Sequence, residues 1–365
     1  MTTYLLAGGG TAGHVNPLLA TADALRESDP NARILVLGTA EGLEAELVPA
    51  RGYELIPIAK LPFPRRPNAQ ALAFPKRLGS LVRQVRSIIV SRGVDAVIGF
   101  GGYASAPAYL AARREGVSYL VHEANARPGL ANRLGAKRAA HVAVAFPDTP
   151  LAGAEVIGMP LRPEIAEIAH ARAAGSDAQL VAAARTSLGL DERPVLLVTG
   201  GSLGAKHINE VLASAAQQIA DAGWQVVHVA GARNDVAAPD VDGYHFMEYC
   251  HHMQDALAVA SLAVSRSGAS TVCELTALAI PAVYVPYPHG NGEQELNARP
   301  AIAAGAAMLA RDEELDATWV TQVLLPLLAD RDRLDAMHDA AVGIGIVDAA
   351  QRLADMARQV AEQKH

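Results

Sequence analysis

An imidazole, a carboxylate and an amide stand just past apolar runs in the first half of the chain. His14 follows Leu5–Ala7 and the turn Gly8-Gly9-Gly10-Thr11-Ala12-Gly13, while Glu123 and Asn125 follow Ser118–Val121, with Pro128-Gly129 behind them. An imidazole has an unperturbed pKa near ~6.5, which suits a base at neutral pH, and a carboxylate is the next choice. Taken singly, each reads as an ordinary loop residue. Their common place at the C-terminal edge of one sheet makes them a set. Much later, the small residues Ser265, Ser267, Gly268, Ala269, Ser270 and Thr271 open onto a run of helix formers that includes Val272, Cys273 and Glu274. Backbone N–H groups at such a helix start can face an anion. Glu274 is expected within the first turn or so, where a carboxylate reads either as a dipole partner or as a ligand contact. Arg162, flanked by Pro160 and Pro163, reads as a cation placed in a cleft.

The elements that hold these residues alternate. Strands are expected near Leu5–Ala7, Arg33–Leu37, Glu54–Ile58, Asp95–Ile98, Ser118–Val121, His141–Ala145 and Glu155–Ile157, with helical stretches between them. This alternation predicts a parallel α/β sheet with right-handed crossovers. The pattern breaks at Gly158-Met159-Pro160-Leu161-Arg162-Pro163 and then begins again. Val195–Val198 runs into Gly200-Gly201-Ser202-Leu203-Gly204, which repeats Gly9-Gly10-Thr11-Ala12-Gly13 as GG[ST]xG at an offset of 191 residues. Strands near Gln225–Ala230, Tyr244–Met247, Leu262–Val264 and Ala282–Val285 follow. Two similar domains are therefore expected, 1–161 and 162–345, with a final helix in 346–365 that packs back on the first. Such sheets, facing across a cleft, aim a glycine turn each at one ligand.

Bulk properties exclude several classes. With 51% hydrophobic and 19% charged residues the 365-residue chain can bury two cores. Two cysteines, Cys250 and Cys273, form no disulfide framework and fit a reducing compartment. The start MTTYLLAGGGTAGH lacks a basic n-region, and no stretch of 18 apolar residues occurs, so a protein neither exported nor membrane-spanning is expected. A net charge of -7 argues against nucleic acid as a partner. Gly8, Gly10 and Gly13 satisfy GxGxxG, yet Arg33–Leu37 ends in Gly38-Thr39, with no acid to hold a dinucleotide ribose. Asp240-Val241-Asp242, between Pro239 and Gly243, reads as a surface turn rather than a metal ligand pair, and His251-His252 lacks partners at ligand spacing. No cofactor or metal is expected.

Charge is unevenly placed. Lys60 to Arg92 holds eight basic residues (Lys60, Arg65, Arg66, Lys76, Arg77, Arg83, Arg86, Arg92) and no acid, leaving 23 basic against 38 acidic residues, a net of -15, elsewhere. Leu61, Phe63, Leu72, Phe74, Leu78, Leu81, Val82 and Val85 are interleaved with them. Either an anionic bilayer attracts this segment or its apolar face lies in the core of the domain.

The stretches GGGTAGHVNP, GFGGYASAP, HEANARPGLANRLGAK, VTGGSLGAKHIN and SRSGASTVCEL with PAVYVPYPHGNGEQELNA resemble, in this order, the MurG family of N-acetylglucosaminyltransferases. The likeness runs from Leu5 to beyond Asn297. It implies the GT-B architecture, two Rossmann-like domains with the acceptor mainly on the first and UDP-N-acetylglucosamine mainly on the second. It also implies transfer of N-acetylglucosamine to lipid I, an undecaprenyl-pyrophosphate-linked acceptor, to form lipid II. By motif, Thr11, Ala12 and Gly13 lie near the donor sugar and diphosphate, and Asn125 contacts the sugar. Arg162 and Ser202 fall on the diphosphate or nucleotide side, Tyr249 lies beside the base, and the Cys250 backbone reads uracil. The run Ala269, Ser270, Thr271, Val272, Cys273, Glu274 offers N–H groups to phosphate, with Glu274 on the ribose and Gln294 on the donor sugar. His14 is the implied general base, with Glu123 as the other candidate.

Departures are Glu293-Gln294, where many members have two glutamines, Ala12 for glycine, and Cys250 for an apolar residue. Because lipid I is membrane-borne, the likeness favours membrane docking by Phe63, Arg65, Arg66, Phe74, Lys76 and Arg77 at the cytoplasmic face, and allows cell-wall synthesis or division proteins as partners. A transferase for a soluble acceptor would not need that basic segment, and a non-catalytic UDP-sugar binder would be indifferent to His14.

Overall fold

The computed structural model describes residues 1–64, 69–201, 204–232 and 235–362. The chain divides into two compact units, Met1–Arg162 with Asp348–His365, and Pro163–Val347. In the first, β1 (Thr3–Ala7), β2 (Arg33–Gly38), β3 (Glu54–Pro57), β4 (Ala96–Gly99), β5 (Ser118–Glu123), β6 (His141–Val144) and β7 (Ala154–Val156) form one parallel sheet in the order β3-β2-β1-β4-β5-β6-β7. In the second, β8 (Val195–Thr199), β9 (Gln225–Val229), β10 (Tyr244–Met247), β11 (Leu262–Ser265), β12 (Ala282–Tyr284) and β13 (Ala307–Leu309) are ordered β10-β9-β8-β11-β12-β13. The second sheet repeats the order of the first six strands of the first, as the repeated glycine turn implies. β13 has no counterpart among the expected strands, because three residues in an alanine-rich stretch carry too short a pattern to register.

Parallel neighbours need crossovers, and helices on both faces bury the central strands on both sides. β1 shows the result. Tyr4 and Leu6 enter one core with Leu18 and Leu25 of the helix Ala12–Ser28, and Leu5 and Ala7 enter the opposite one with Leu81, Val82 and Val85 of the helix Ala69–Arg92. The last helix, Ala349–Glu362, joins the first of these cores through Leu353, Met356 and Val360. Among the described residues no helix is long and apolar enough to cross a membrane.

Each unit buries one histidine on a strand. On β5, His122 donates from Nε2 to Gly158 O at 3.0 Å. On β9, His228 lies between Tyr244 Oη at 2.7 Å and Asn209 Oδ1 at 3.1 Å. Burial pushes both imidazoles down to about 4 from the ordinary 6.5. They are neutral in the fold, whereas the unfolded chain takes up these protons below about pH 6.5. Their contribution is therefore complete above about pH 6.5 and is lost as the pH falls from about 6.5 to about 4, by up to roughly 3 kcal/mol for each histidine. Urea unfolding at pH 7.5 and pH 5 is expected to give a clearly lower midpoint at the acid value, and equal midpoints would contradict the assignment.

Candidate functional site

Strand order reverses between β1 and β4 and again between β8 and β11, and ligands of open α/β sheets bind beyond the carboxyl ends of strands at such a reversal. The helices leaving these four strands are Ala12–Ser28, Gly102–Glu115, Lys206–Ser214 and Ala269–Ala277. They start after Thr11, Gly101, Ala205 and Gly268, and none of these residues makes a side-chain capping bond. Their first N–H groups are therefore not closed by side-chain caps.

In the first unit, His14 is the third residue of its helix rather than a loop residue, because the extended Thr11 already serves as N-cap and its carbonyl accepts from His14 N at 3.0 Å. Half-buried, His14 brings Nδ1 to 3.2 Å from Gly9 O and 3.1 Å from Thr11 Oγ1. A carbonyl only accepts, so this contact requires the proton on Nδ1 and puts the lone pair on Nε2. Gly101 lies against the imidazole edge, where a Cβ would come within 3.0 Å of Nε2. Thr11 and Ala12 are exposed and Gly13 half-exposed.

Glu123 is buried. Its Oε1 accepts from Asn125 N at 3.0 Å, and its Oε2 accepts from Gly129 N and Asn132 Nδ2, both at 3.0 Å. That geometry describes a clamp for the loop carrying the half-buried Asn125. Arg162, also half-buried, closes the first unit.

Sequence reasoning missed Glu44. Buried at the start of the helix Glu44–Ala50, its carboxylate accepts from Gly10 N at 3.0 Å, Thr39 N at 2.9 Å and Thr39 Oγ1 at 2.7 Å, tying the β1 and β2 turns together. Gly38 and Gly42 just ahead of it were the available signal, since a Cβ at either would meet the Glu44 side chain. Helix-start acids are common, which hid it.

In the second unit, Val272 N already bonds Gly268 O at 3.0 Å, so the anion-facing set narrows from the expected Ala269–Glu274 run to the N–H groups of Ala269, Ser270 and Thr271. Glu274 is the sixth helical residue, past the first turn and half-buried, which removes the capping reading. Val272 faces the core, and burial, with Glu274 adjacent, pushes the Cys273 thiol well up, so neither side chain suits a ligand contact. Just before the helix, Ser265 Oγ and Ser267 Oγ are buried with no partner among the described residues. Gln294 accepts from Tyr287 N at 2.9 Å, and Glu293 instead pairs with Asn291 at the start of its own helix. Tyr249 is exposed with His251 edge-on at 4.9 Å, and Cys250 follows it half-buried. Ser202 lies outside the described residues. Asp242 pairs with Arg193 at 3.1 Å, as a surface turn does, and no cluster of three metal-ligating side chains occurs among the described residues.

The basic segment divides. In the helix Ala69–Arg92, Leu81, Val82 and Val85 are buried, whereas Leu72 is 86% exposed beside exposed Lys76 and Arg77. Phe63 and Phe74, both half-buried, pack with ring centroids 5.3 Å apart. Arg65 and Arg66 lie outside the described residues.

Residues 4–144 match the N-terminal domain of glycosyltransferase family 28, and residues 195–359 match its C-terminal domain. The UDP-N-acetylglucosamine--N-acetylmuramyl-(pentapeptide) pyrophosphoryl-undecaprenol N-acetylglucosamine transferase of Leifsonia xyli subsp. xyli is 54% identical over 358 residues, covering 98% of both chains. The protein of the same name from Clavibacter michiganensis subsp. michiganensis is 54% identical over 360 residues, covering 98% of this chain and 96% of its own. The crystal structure of Acinetobacter baumannii MurG aligns with a TM-score of 0.78 at 26% identity, over 98% of this chain and 100% of that one. Matched in both domains and more than half identical to such transferases over nearly its full length, the chain belongs to the MurG family of glycosyltransferase family 28 and has its two-domain GT-B fold.

Proposed function

We propose that the chain is an inverting hexosyltransferase that moves N-acetylglucosamine from UDP-N-acetylglucosamine to the C4 hydroxyl of the muramic acid sugar of lipid I, forming lipid II for peptidoglycan. The observation that carries this reading is the 54% identity with the named transferase along 98% of both chains.

An α-linked donor yields a β-linkage in one displacement. The acceptor oxygen bonds to C1 as the bond from C1 to the β-phosphate oxygen breaks, the hydroxyl proton passes to a base, and UDP leaves with the electron pair. His14 is assigned as that base through Nε2, since its Nδ1 is turned to Gly9 O. Glu123 is assigned to holding the Asn125 loop, because both its oxygens already accept from N–H donors. Charge gathering on UDP is met by the N–H groups of Ala269, Ser270 and Thr271, by the buried Ser265 and Ser267 hydroxyls, and by Arg162. Glu274 takes the ribose hydroxyls, Tyr249 stacks on uracil, and the Cys250 backbone reads its edge. With its oxygen turned to Tyr287 N, Gln294 offers its amide NH2 to a sugar hydroxyl. Thr11, Ala12, Gly13 and Asn125 line the sugar, and Ser202 the nucleotide.

The acceptor's lipid requires a docking surface at the cytoplasmic face. Exposed Leu72, the Phe63–Phe74 pair, Lys76 and Arg77 suit one, with Arg65 and Arg66 in the adjoining sequence.

UDP release from UDP-N-acetylglucosamine is expected only when a lipid I analogue is present, and donor binding without acceptor-dependent release would overturn the assignment. His14→Ala is expected to lower kcat by roughly 10²–10⁴-fold with donor affinity little changed, whereas unaltered turnover removes His14 from the chemistry. Reversing the charges of Arg65, Arg66, Lys76 and Arg77 together is expected to weaken binding to anionic vesicles by at least about tenfold. Equal vesicle binding by variant and parent would exclude the docking role.

A further inference from the structure

The carboxylate behind the first glycine turn reaches His14 through a single peptide group. Gly10 N–H and Gly9 C=O belong to the same peptide, the first bonded to Glu44 Oε2 at 3.0 Å and the second 3.2 Å from His14 Nδ1. We propose that Glu44 is a positioning residue that acts on His14 through this Gly9–Gly10 peptide, fixing the imidazole as the Nδ1–H tautomer and strengthening Nε2 as a base. The proposal rests on the reading of His14 as the general base.

Three observations support the relay. First, the carboxylate is an anion held for this contact. Burial works to raise its pKa, but the donors from Gly10 and Thr39 outweigh burial and hold it below the ordinary carboxylate range. Thr39 occupies Oε1 with two bonds, which leaves Oε2 to the peptide. Second, an anion at the N–H end of an amide draws charge toward its carbonyl oxygen, making that oxygen a better acceptor for the imidazole N–H. Third, the surroundings keep the path clear of side chains. A Cβ at Gly9, Gly38 or Gly42 would strike Glu44, and one at Gly102 would strike the Gly9 carbonyl oxygen. Gly102 also has a φ of 76°, a value that side chains rarely adopt.

The competing arrangement has Thr11 Oγ1, 3.1 Å from Nδ1, donating its hydroxyl proton to a bare nitrogen. The Gly9 carbonyl would then face a lone pair, an unfavourable contact that the Nδ1–H tautomer avoids.

Besides Glu44, the titratable groups near His14 among the described residues include His122 on β5, kept neutral by burial, and Tyr103 beside Gly10, with Lys60 over its ring. Glu123 stands behind Asn132, whose amide nitrogen borders Gly101.

Nitrogen-15 NMR of the histidines in the full chain, with the His14 signals assigned by their loss in His14→Gln, tests the tautomer without perturbing the relay. Nδ1 is expected to carry the proton at neutral pH, and an Nε2–H tautomer overturns the proposal. In Glu44→Gln the NMR titration of His14 is expected to move down by about one pH unit, and kcat to fall by about 10–100-fold, with UDP-N-acetylglucosamine affinity within about twofold of the parent. Glu44→Asp, one methylene short of Gly10, is expected not to restore kcat. A parental tautomer, titration and kcat in Glu44→Gln overturn the relay, as does a fall in donor affinity equal to the fall in kcat, which marks a purely structural residue. If His14→Ala keeps its turnover, the base reading fails, while the NMR response to Glu44→Gln still reports on the relay by itself.

Discussion

A helix start needs acceptors for its first N–H groups, and where strand order reverses this chain leaves four such starts without side-chain caps. Glycine or alanine replaces the capping side chain at three of them, and at the fourth Thr11 turns its hydroxyl to His14. In the second unit the deficit extends to Ser265 and Ser267, buried hydroxyls that find no protein partner among the described residues. Each such group costs about 1–3 kcal/mol while unsatisfied. A diphosphate supplies many acceptor oxygens and suits the positive end of the helix, so occupancy relieves the deficit that an empty site carries. Under the proposed function, this deficit would favour an anionic donor.

The basic segment shows how one helix can answer two demands. Leu81, Val82, Val85 and Ile89 meet β1 and β2 and complete a core, so the periodicity there follows packing. Ahead of them Leu72 stands exposed one turn before the exposed Lys76 and Arg77, and no core demand explains it. The packing reading holds for the later turns of this helix, and the docking proposed above would use the exposed Leu72 ahead of them. An exposed apolar side chain among cations is suited to an anionic lipid surface.

Alternating apolar runs and turn glycines made the duplicated parallel sheet legible, because strand period, crossover length and the GG[ST]xG repeat depend on local sequence alone. What remained hidden depends on contacts between residues far apart. Glu44 is 34 residues from the turn it holds, and nothing in its local sequence points to Gly10. Glu123 looked like a base because its loop position was legible, but its three donors, one of them from Asn132, were not. Glu274 was misplaced within its helix for a simpler reason. Small residues run continuously from Ser265 to Thr271, so the sequence does not mark where the first turn closes.

The two glycine turns are held from behind by groups of different charge, and the difference matches the roles proposed for them. Behind the first is the Glu44 anion. Behind the second is a neutral chain. Asn209 Nδ2 donates to Ala230 O at 2.8 Å, so its Oδ1 faces His228, which must donate from Nε2 and accept the Tyr244 hydroxyl at Nδ1. Burial keeps His228 uncharged, and the Ala230 carbonyl lies against Gly204 at the end of the turn. A carboxylate in that place would repel a diphosphate bound as proposed at low effective dielectric, whereas a neutral network would not oppose it. In the first unit the reverse holds. An imidazole that takes up a proton becomes a cation, and a buried anion one peptide away lowers the free energy of that state. The two sheets share a strand order, but an anion stands behind the first glycine turn and a neutral network behind Gly204, in keeping with the proposed roles.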